Sequence, residues 1–482
     1  MTIQIIHTAS GRLQPDSDAA AVKAMVAAAL ASGKPIVLHF HGGLVDRNKG
    51  VEIAKGLEPV YVAGGAHPVF FVWESGLWET IGNNLADIAG EKIFNILKKK
   101  VASIVAGKLG QDADTRAAGG LRLADGLTAE AFLAGDLAPP PADTLTPVSA
   151  QERLALQAQL GRDAEVAEVA RTLDATTDRE MLDADPASRS AVPTVTASTA
   201  TLMSPDALNR YVSSDDRGIS TMALIKGIIE IGVRVVARFI NHRDHGGHAT
   251  VVEEILREFY LTNVGGVVWT QMKKDTTDCF GSDPAVFGGT AFLAELKAQV
   301  GAGAWPRIVL VGHSTGAVFI ADFLTSADSL LPKEAVFDVI FEAPAVTFGR
   351  FADVVTQRAA RIGNIRIFAM KDATERADIL LPKVAFLYPH SLLYFVSGVV
   401  EDSVDEPLVG MQRYYDAAHY PAGSFAKVEA VRQFLAGRQH ANVWAVETGA
   451  GDGLCSGAFS HGDFDHEATT MKSVQYILTH GY

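Results

Sequence analysis

The chain has 482 residues, enough for one large core or for two or three domains, and 48% hydrophobic against 20% charged residues marks a folded globular protein. A formal charge of -14 excludes nucleic acid and other anionic polymers as principal partners, because phosphate recognition needs a basic surface. Two cysteines, Cys279 and Cys455, exclude a disulfide framework and a thiolate metal cluster, so a reducing cytoplasm is the expected compartment.

The amino terminus, MTIQIIHTASGRLQPDSDA, lacks the basic-then-apolar order of a signal peptide, although non-classical export stays open. No window reaches eighteen uncharged apolar residues, so no transmembrane helix is expected. Strand-like runs fall at Ile3 to His7, Pro35 to Phe40, Pro68 to Trp73, Arg307 to Val311, Phe337 to Phe341, Ile365 to Met370 and Asn442 to Val446. Helical patterns include Ala19 to Ala31, Ala291 to Val300, Phe425 to Ala436 and Thr469 to His480. This alternation predicts an α/β fold, a mainly parallel sheet with helices on both faces.

The rhythm changes over residues 86 to 264, which read as an insertion between the core segments 1–85 and 265–482. Its middle, with Pro139-Pro140-Pro141 and the tract AVPTVTASTATLMSP, is rich in Ala, Asp, Thr and Pro and is expected to be loop-like or disordered. Its flanks are amphipathic. Residues 88–109 are cationic, and 221–240 stack Lys226, Glu230, Arg234 and Arg238 in one narrow stripe, leaving the rest of the helix apolar. Such helices need a wide apolar partner: the body of the protein, through a helical cap, or alternatively a lid or a peripheral membrane contact, since basic amphipathic helices favour anionic bilayers.

Chemistry enters at RIVLVGHSTGAV, residues 307–318, where an apolar β-branched run breaks at Gly312-His313-Ser314-Thr315-Gly316 and resumes as a helix. A serine on a sharp strand-to-helix turn has its hydroxyl exposed at the sheet edge, and the crowded turn demands small neighbours. Ser314 is the expected nucleophile, with the N–H of Thr315 at the helix start facing a developing oxyanion. A serine needs a base, and the base needs an acid that orients it. Asp372 follows the strand Ile365 to Met370 at the same sheet edge, with Glu342 and Asp378 as alternatives. His461, in the glycine-rich loop before the last helix, is the expected base; His466 is the main competitor, ahead of His419 and His440. The loop after PIVLHF, His41-Gly42-Gly43-Leu44, offers Gly43 as the second oxyanion donor, with Leu44 packing beneath it and His41 ordering the loop.

In the motifs HFHGGL and VLVGHSTGAV, the acid after a late strand and SHGDFD before the last helix, the chain resembles the α/β-hydrolase fold superfamily, close to its serine esterase and lipase branches. The likeness covers roughly residues 1–85 and 265–482 and implies a cofactor-independent ester hydrolase with a catalytic triad, an oxyanion hole and an inserted cap or lid. The apolar segment Phe386 to Val399 is a candidate acyl pocket lining, with Leu393 and Phe395 as its test positions. His242, His245 and His248 raise zinc as a lesser hypothesis; no helical face holds all three, and no metal is expected. There is no Walker A loop, and Gly265-Gly266-Val267-Val268 lacks the dinucleotide fingerprint. The rival reading is an inactive hydrolase-like scaffold that binds membrane or protein; amide or thioester substrates are the closer alternatives.

Overall fold

A computed structural model describes residues 3–43, 45–74, 78–111, 123–135, 142, 145–176, 201–211, 220–381, 385–417, 420–421, 423 and 425–482. Leu44, Pro139 to Pro141, His419 and residues 191–200 of the Thr-rich tract lie outside them. The strands are β1 (Ile5–Ala9), β2 (Arg12–Leu13), β3 (Ile36–Phe40), β4 (His67–Trp73), β5 (Ile308–His313), β6 (Phe337–Glu342), β7 (Ile362–Met370) and β8 (Asn442–Ala445). They form one sheet in the order β2-β1-β4-β3-β5-β6-β7-β8, parallel except for the β1–β2 edge pair. The central strands β3, β5 and β6 are buried along their whole length, as parallel strands covered on both faces must be.

Alternate residues feed two cores. Leu38, Phe40, Leu310 and Phe341 join one cluster, while Val37, Val309, Val311 and Ile340 join the other with Leu57, Tyr61, Val474 and Ile477. The second face is covered by two helices, Arg47–Ala63 and the terminal Ala468–His480. Both run from the carboxyl edge of the sheet back toward its amino edge, and they meet where Gln475 Nε2 donates to the Val60 carbonyl.

Between β4 and β5 the chain is helical. In order these α-helices are α3 (Trp78–Gly90), α4 (Lys92–Gln111), α5 (Gly126–Ala134), α6 (Ala150–Leu160), α7 (Ala164–Thr176), α8 (Pro205–Tyr211), α9 (Thr221–Ile240), α10 (Gly247–Ile255), α11 (Gly266–Asp278) and α12 (Gly288–Val300); α1 is Ala19–Ala31, α2 is Arg47–Ala63, and after β5 come α13 (Gly316–Leu330), α14 (Phe348–Gln357), α15 (Asp372–Ala377), α16 (Leu392–Phe395), α17 (Ala426–Ala436) and α18 (Ala468–His480). The predicted helix over 88–109 is split by Glu91 between α3 and α4. Helix α9 packs on α4 so closely that a Cβ on Gly232 would sit 2.8 Å from Ile104. Leu224, Ile228, Ile231 and Val235 are fully buried there, each worth roughly 1.5–3 kcal/mol, so the helical segment itself satisfies the apolar face. The charges are also used internally: Arg234 pairs with Glu254 and Glu258, Arg238 with Glu253 and Glu254, and Lys108 with Glu152. Thr201 to Ser204, the end of the Thr-rich tract, are loop-like as expected, and they are buried, with the Ser204 N–H donating to the Phe259 carbonyl. The buried residues of this segment belong to the same cluster as one sheet face. No helix among the described residues is long and apolar enough to cross a membrane.

Candidate active site

Ser314 follows β5 with φ at +53°, in the left-handed region, and the helix α13 (Gly316–Leu330) begins two residues later with Thr315 as its N-cap. The turn admits no side chain on either flank: a Cβ on Gly316 would lie 2.0 Å from the Phe40 carbonyl oxygen, and one on Gly312 would lie 2.7 Å from Ile320. The Ser314 N–H donates to the Glu342 carbonyl of the neighbouring strand, and the Ser314 carbonyl accepts from Ala345. These bonds hold the positive φ, a conformation that persists only where the surroundings over-determine it.

His461 comes from the loop before the terminal helix, here α18 (Ala468–His480), and its Nε2 lies 2.9 Å from Ser314 Oγ. The loop is pinned from two sides: the His461 N–H donates to Asp378 Oδ2 at 3.0 Å, and His313 Nε2 donates to the His461 carbonyl at 2.9 Å. Both side chains are almost fully buried. Burial, then the neighbouring His313, pushes the His461 ring down to about 3 against the pull of Asp465, so the ring is neutral and able to accept a proton. With Nε2 facing the hydroxyl, Nδ1 is the nitrogen an acid would orient, and it is buried with no partner among the described residues.

Asp372, the acid expected from the sequence, is not that partner. The helix α15 (Asp372–Ala377) starts on it, Tyr394 donates to its carboxylate at 2.6 Å, and its N–H donates to Gln412. Asp378 is likewise spent on the His461 backbone. Glu342 is placed differently. It ends β6 in register with His313, is wholly buried, and neither carboxyl oxygen has a partner among the described residues. Its side chain falls on the sheet face that also carries Ile340, and burial, with Asp465 adding to it, raises its carboxyl well above the usual range.

Three residues here escaped the sequence reading. His313 was only a spacer in the G-x-S-x-G pattern, His39 only a strand residue, and Asp465 only a member of SHGDFD before the last helix. The helix starts at Ala468, capped by Glu467, whose carboxylate accepts from Thr469 and Thr470. That frees Asp465 to face the site. Burial opposes its charge, but His313, a bond from His466 and His39 hold its carboxyl below the ordinary value. His466 is exposed and bonded to Asp465 at 2.9 Å. His440, the other competitor, lies in a separate cavity.

The expected oxyanion loop is ordered by His41, whose Nδ1 lies 2.6 Å from the Gly42 carbonyl while Nε2 accepts from the Trp73 N–H. The Gly43 N–H is occupied, donating to Thr315 Oγ1 at 3.1 Å. Ser314 and His461 open onto a cavity of about 550 Å³. Its apolar wall is Ile53, Leu57 and Val60 of α2 with Met471 of α18, and its mouth carries Lys49, Glu52 and Asp465. A smaller cavity of about 290 Å³ shares Gly43, Leu392 and His461 with it and is further lined by Ile379 and Leu380. No described residue of 86–264 lines either one, and Leu393 and Phe395 are core residues rather than pocket lining.

The three histidines of NHRDHGGH do not assemble: His242 is exposed, and His245 has one ring nitrogen on Glu253 at 2.7 Å and the other on Asp405 at 2.9 Å. No family model matches the chain, and no curated protein or solved structure matches it either.

Proposed function

We propose that the chain is a cofactor-independent serine hydrolase of the α/β-hydrolase fold that cleaves an apolar carboxylic ester through an acyl-enzyme. The observation that carries this reading is the 2.9 Å contact of Ser314 Oγ with His461 Nε2 on a positive-φ elbow at the floor of a cavity. In the reaction His461 takes the Ser314 proton as Oγ attacks the carbonyl carbon, then returns it to the departing alkoxide; water repeats the sequence to release the acid. The Thr315 N–H receives the oxyanion, joined by the Gly43 N–H once it turns from the Thr315 hydroxyl. Glu342 is our candidate for the orienting acid: it ends the strand next to the Ser314 turn, and its buried carboxyl, like Nδ1 of His461, has no partner among the described residues.

The acyl chain lies between α2 and α18. From Lys49 to Val60 the helix runs roughly 16 Å away from the nucleophile, along Ile53 and Leu57, toward an end closed by Gln475 on Val60. The alcohol leaves toward Leu380 and Leu392. An apolar groove favours esters of aliphatic acids over amides, whose leaving nitrogen calls for more polar support.

Covalent labelling by a fluorophosphonate probe tests the reading, comparing wild type with Ser314→Ala and His461→Ala and checking folding by circular dichroism. Labelling of the wild type and its loss in both folded variants is the expected result. A folded wild type that takes no label overturns the hydrolase reading and leaves the binding scaffold.

A further inference from the structure

At the opposite, amino edge of the sheet a second cavity of about 500 Å³ is bounded by Arg366 of β7, Arg438 and His440 ahead of β8, and Tyr482 at the end of α18. It shares no lining residue with the Ser314 cavity. Arg366 is 3% exposed and forms no ion pair among the described residues. Its guanidinium stacks 5.7 Å from the Tyr482 ring, a single bond joins Nη1 to the Gly453 carbonyl at 3.3 Å, and Nε is buried with no partner. Arg438 repeats the pattern. Its guanidinium lies 3.5 Å over the Phe434 ring, Nη1 donates to the Phe434 carbonyl, and Nε is again buried and unpartnered among the described residues, with which Arg438 forms no ion pair.

Buried arginines elsewhere in the molecule are matched: Arg238 has two glutamates, and Arg361 has Asp328 and four backbone acceptor bonds. A guanidinium cannot shed its proton to escape burial, so the buried Arg366, with the half-exposed Arg438 on the same wall, gives the cavity a positive charge that no ion pair among the described residues compensates. The acidic member of the lining is Asp452, which is exposed.

We propose that this cavity binds a small organic anion through a carboxylate or phosphate group, which supplies the oxygens that Arg366 and Arg438 lack. The planar fork of each arginine matches two oxygens of such a group. Leu454, Ile477 and the rings of Tyr476 and Tyr482 accept the apolar body of the ligand. The proposal does not depend on Ser314.

Isothermal titration of the full chain with inorganic phosphate, phenyl phosphate, benzoate and octanoate tests it, with chloride at matched ionic strength as the control. All four are repeated in Ser314→Ala, Arg438→Gln and Arg366→Gln. The expected result is saturable binding of at least one organic anion, unchanged in Ser314→Ala and weakened at least tenfold in Arg438→Gln. Arg438 is half exposed, so its variant keeps the fold even if Arg366→Gln does not. Stronger binding of phenyl phosphate identifies phosphate as the recognised group, and stronger binding of benzoate or octanoate a carboxylate. Absence of saturable binding in the wild type, or equal affinity in a folded Arg438→Gln, overturns the proposal.

Discussion

Two buried polar clusters in this molecule are built to opposite standards. At the junction of the helical segment with the sheet, Asp405 accepts from Tyr414, Tyr420, Arg243 and His245, while Glu253 accepts from Arg238, Tyr388 and the other nitrogen of His245. The chain of bonds extends through Arg413 and Tyr394 to Asp372. Beneath Ser314, in contrast, the Glu342 carboxyl, His461 Nδ1 and His39 Nε2 are buried and unpartnered. A network in which the buried carboxylates are bonded several times over fixes geometry, whereas a buried carboxyl and imidazole nitrogens left unpaired cost free energy. The difference fits the proposal that the first cluster is structural and the second serves a reaction.

The sharpest way to break this contrast is at the two acids. Glu342→Gln should lower kcat by on the order of 10⁴-fold with the fold intact, as expected when an amide that can donate replaces the group that fixes the tautomer of the base. Asp372→Asn should leave kcat within a few-fold of wild type. Steady-state kinetics on an ester that the wild type turns over decides between them, and the reverse ranking would return Asp372 to the triad.

Asp405→Ala should act on stability instead, costing about 3–5 kcal/mol because it leaves Arg243, Arg413 and His245 without their shared carboxylate. Urea unfolding measures the loss. A cost below about 1 kcal/mol would place the junction among ordinary surface polar contacts.

A third test uses Glu375, which is wholly buried on α15 and whose carboxyl burial raises to about 8. Between its ordinary value of 4.5 and about 8 the folded state holds the proton more tightly than the unfolded state, so wild-type stability falls as pH rises through that window. Glu375→Gln removes the slope. The stability difference between the variant and wild type should therefore grow in favour of the variant from pH 4.5 upward and level off above about 8, read from unfolding curves across pH. A difference independent of pH would show that Glu375 is ionised in the fold.

The smallest effect is expected at Gly56, where an added Cβ meets nothing within 4 Å and points into open space at the α2–α18 cavity. Gly56→Leu should reduce kcat/KM for a dodecanoate ester about tenfold, near 1.4 kcal/mol, while sparing the butyrate ester. Equal loss on both chain lengths would move the acyl chain out of this groove.

Local patterns made much of the architecture legible. The seven long strands lie within three residues of their expected bounds, because β-branched runs between glycine and proline punctuation leave few other conformations. The elbow was equally plain: Gly312 and Gly316 are required by contacts only ångströms away along the chain and its neighbouring strand. His461 could be placed because its loop follows the last strand at the same sheet edge. Asp372 misled because strand-end position says where a carboxylate begins, not which of several distant partners will claim it; Tyr394, far along the chain, decided that.

The sequence by itself thus determined the α/β alternation, the nucleophile turn and the candidate base, since each depends on spacing within a short stretch. Only the tertiary structure decided that Asp372 serves the helical junction, that the Glu342 carboxyl is buried without a partner among the described residues, that the cavity runs along α2 rather than beneath the described residues of 86–264, and that Arg366 and Arg438 share a wall. Those outcomes depend on which side chains from remote segments exclude water from one another, and burial of that kind has no period in the sequence.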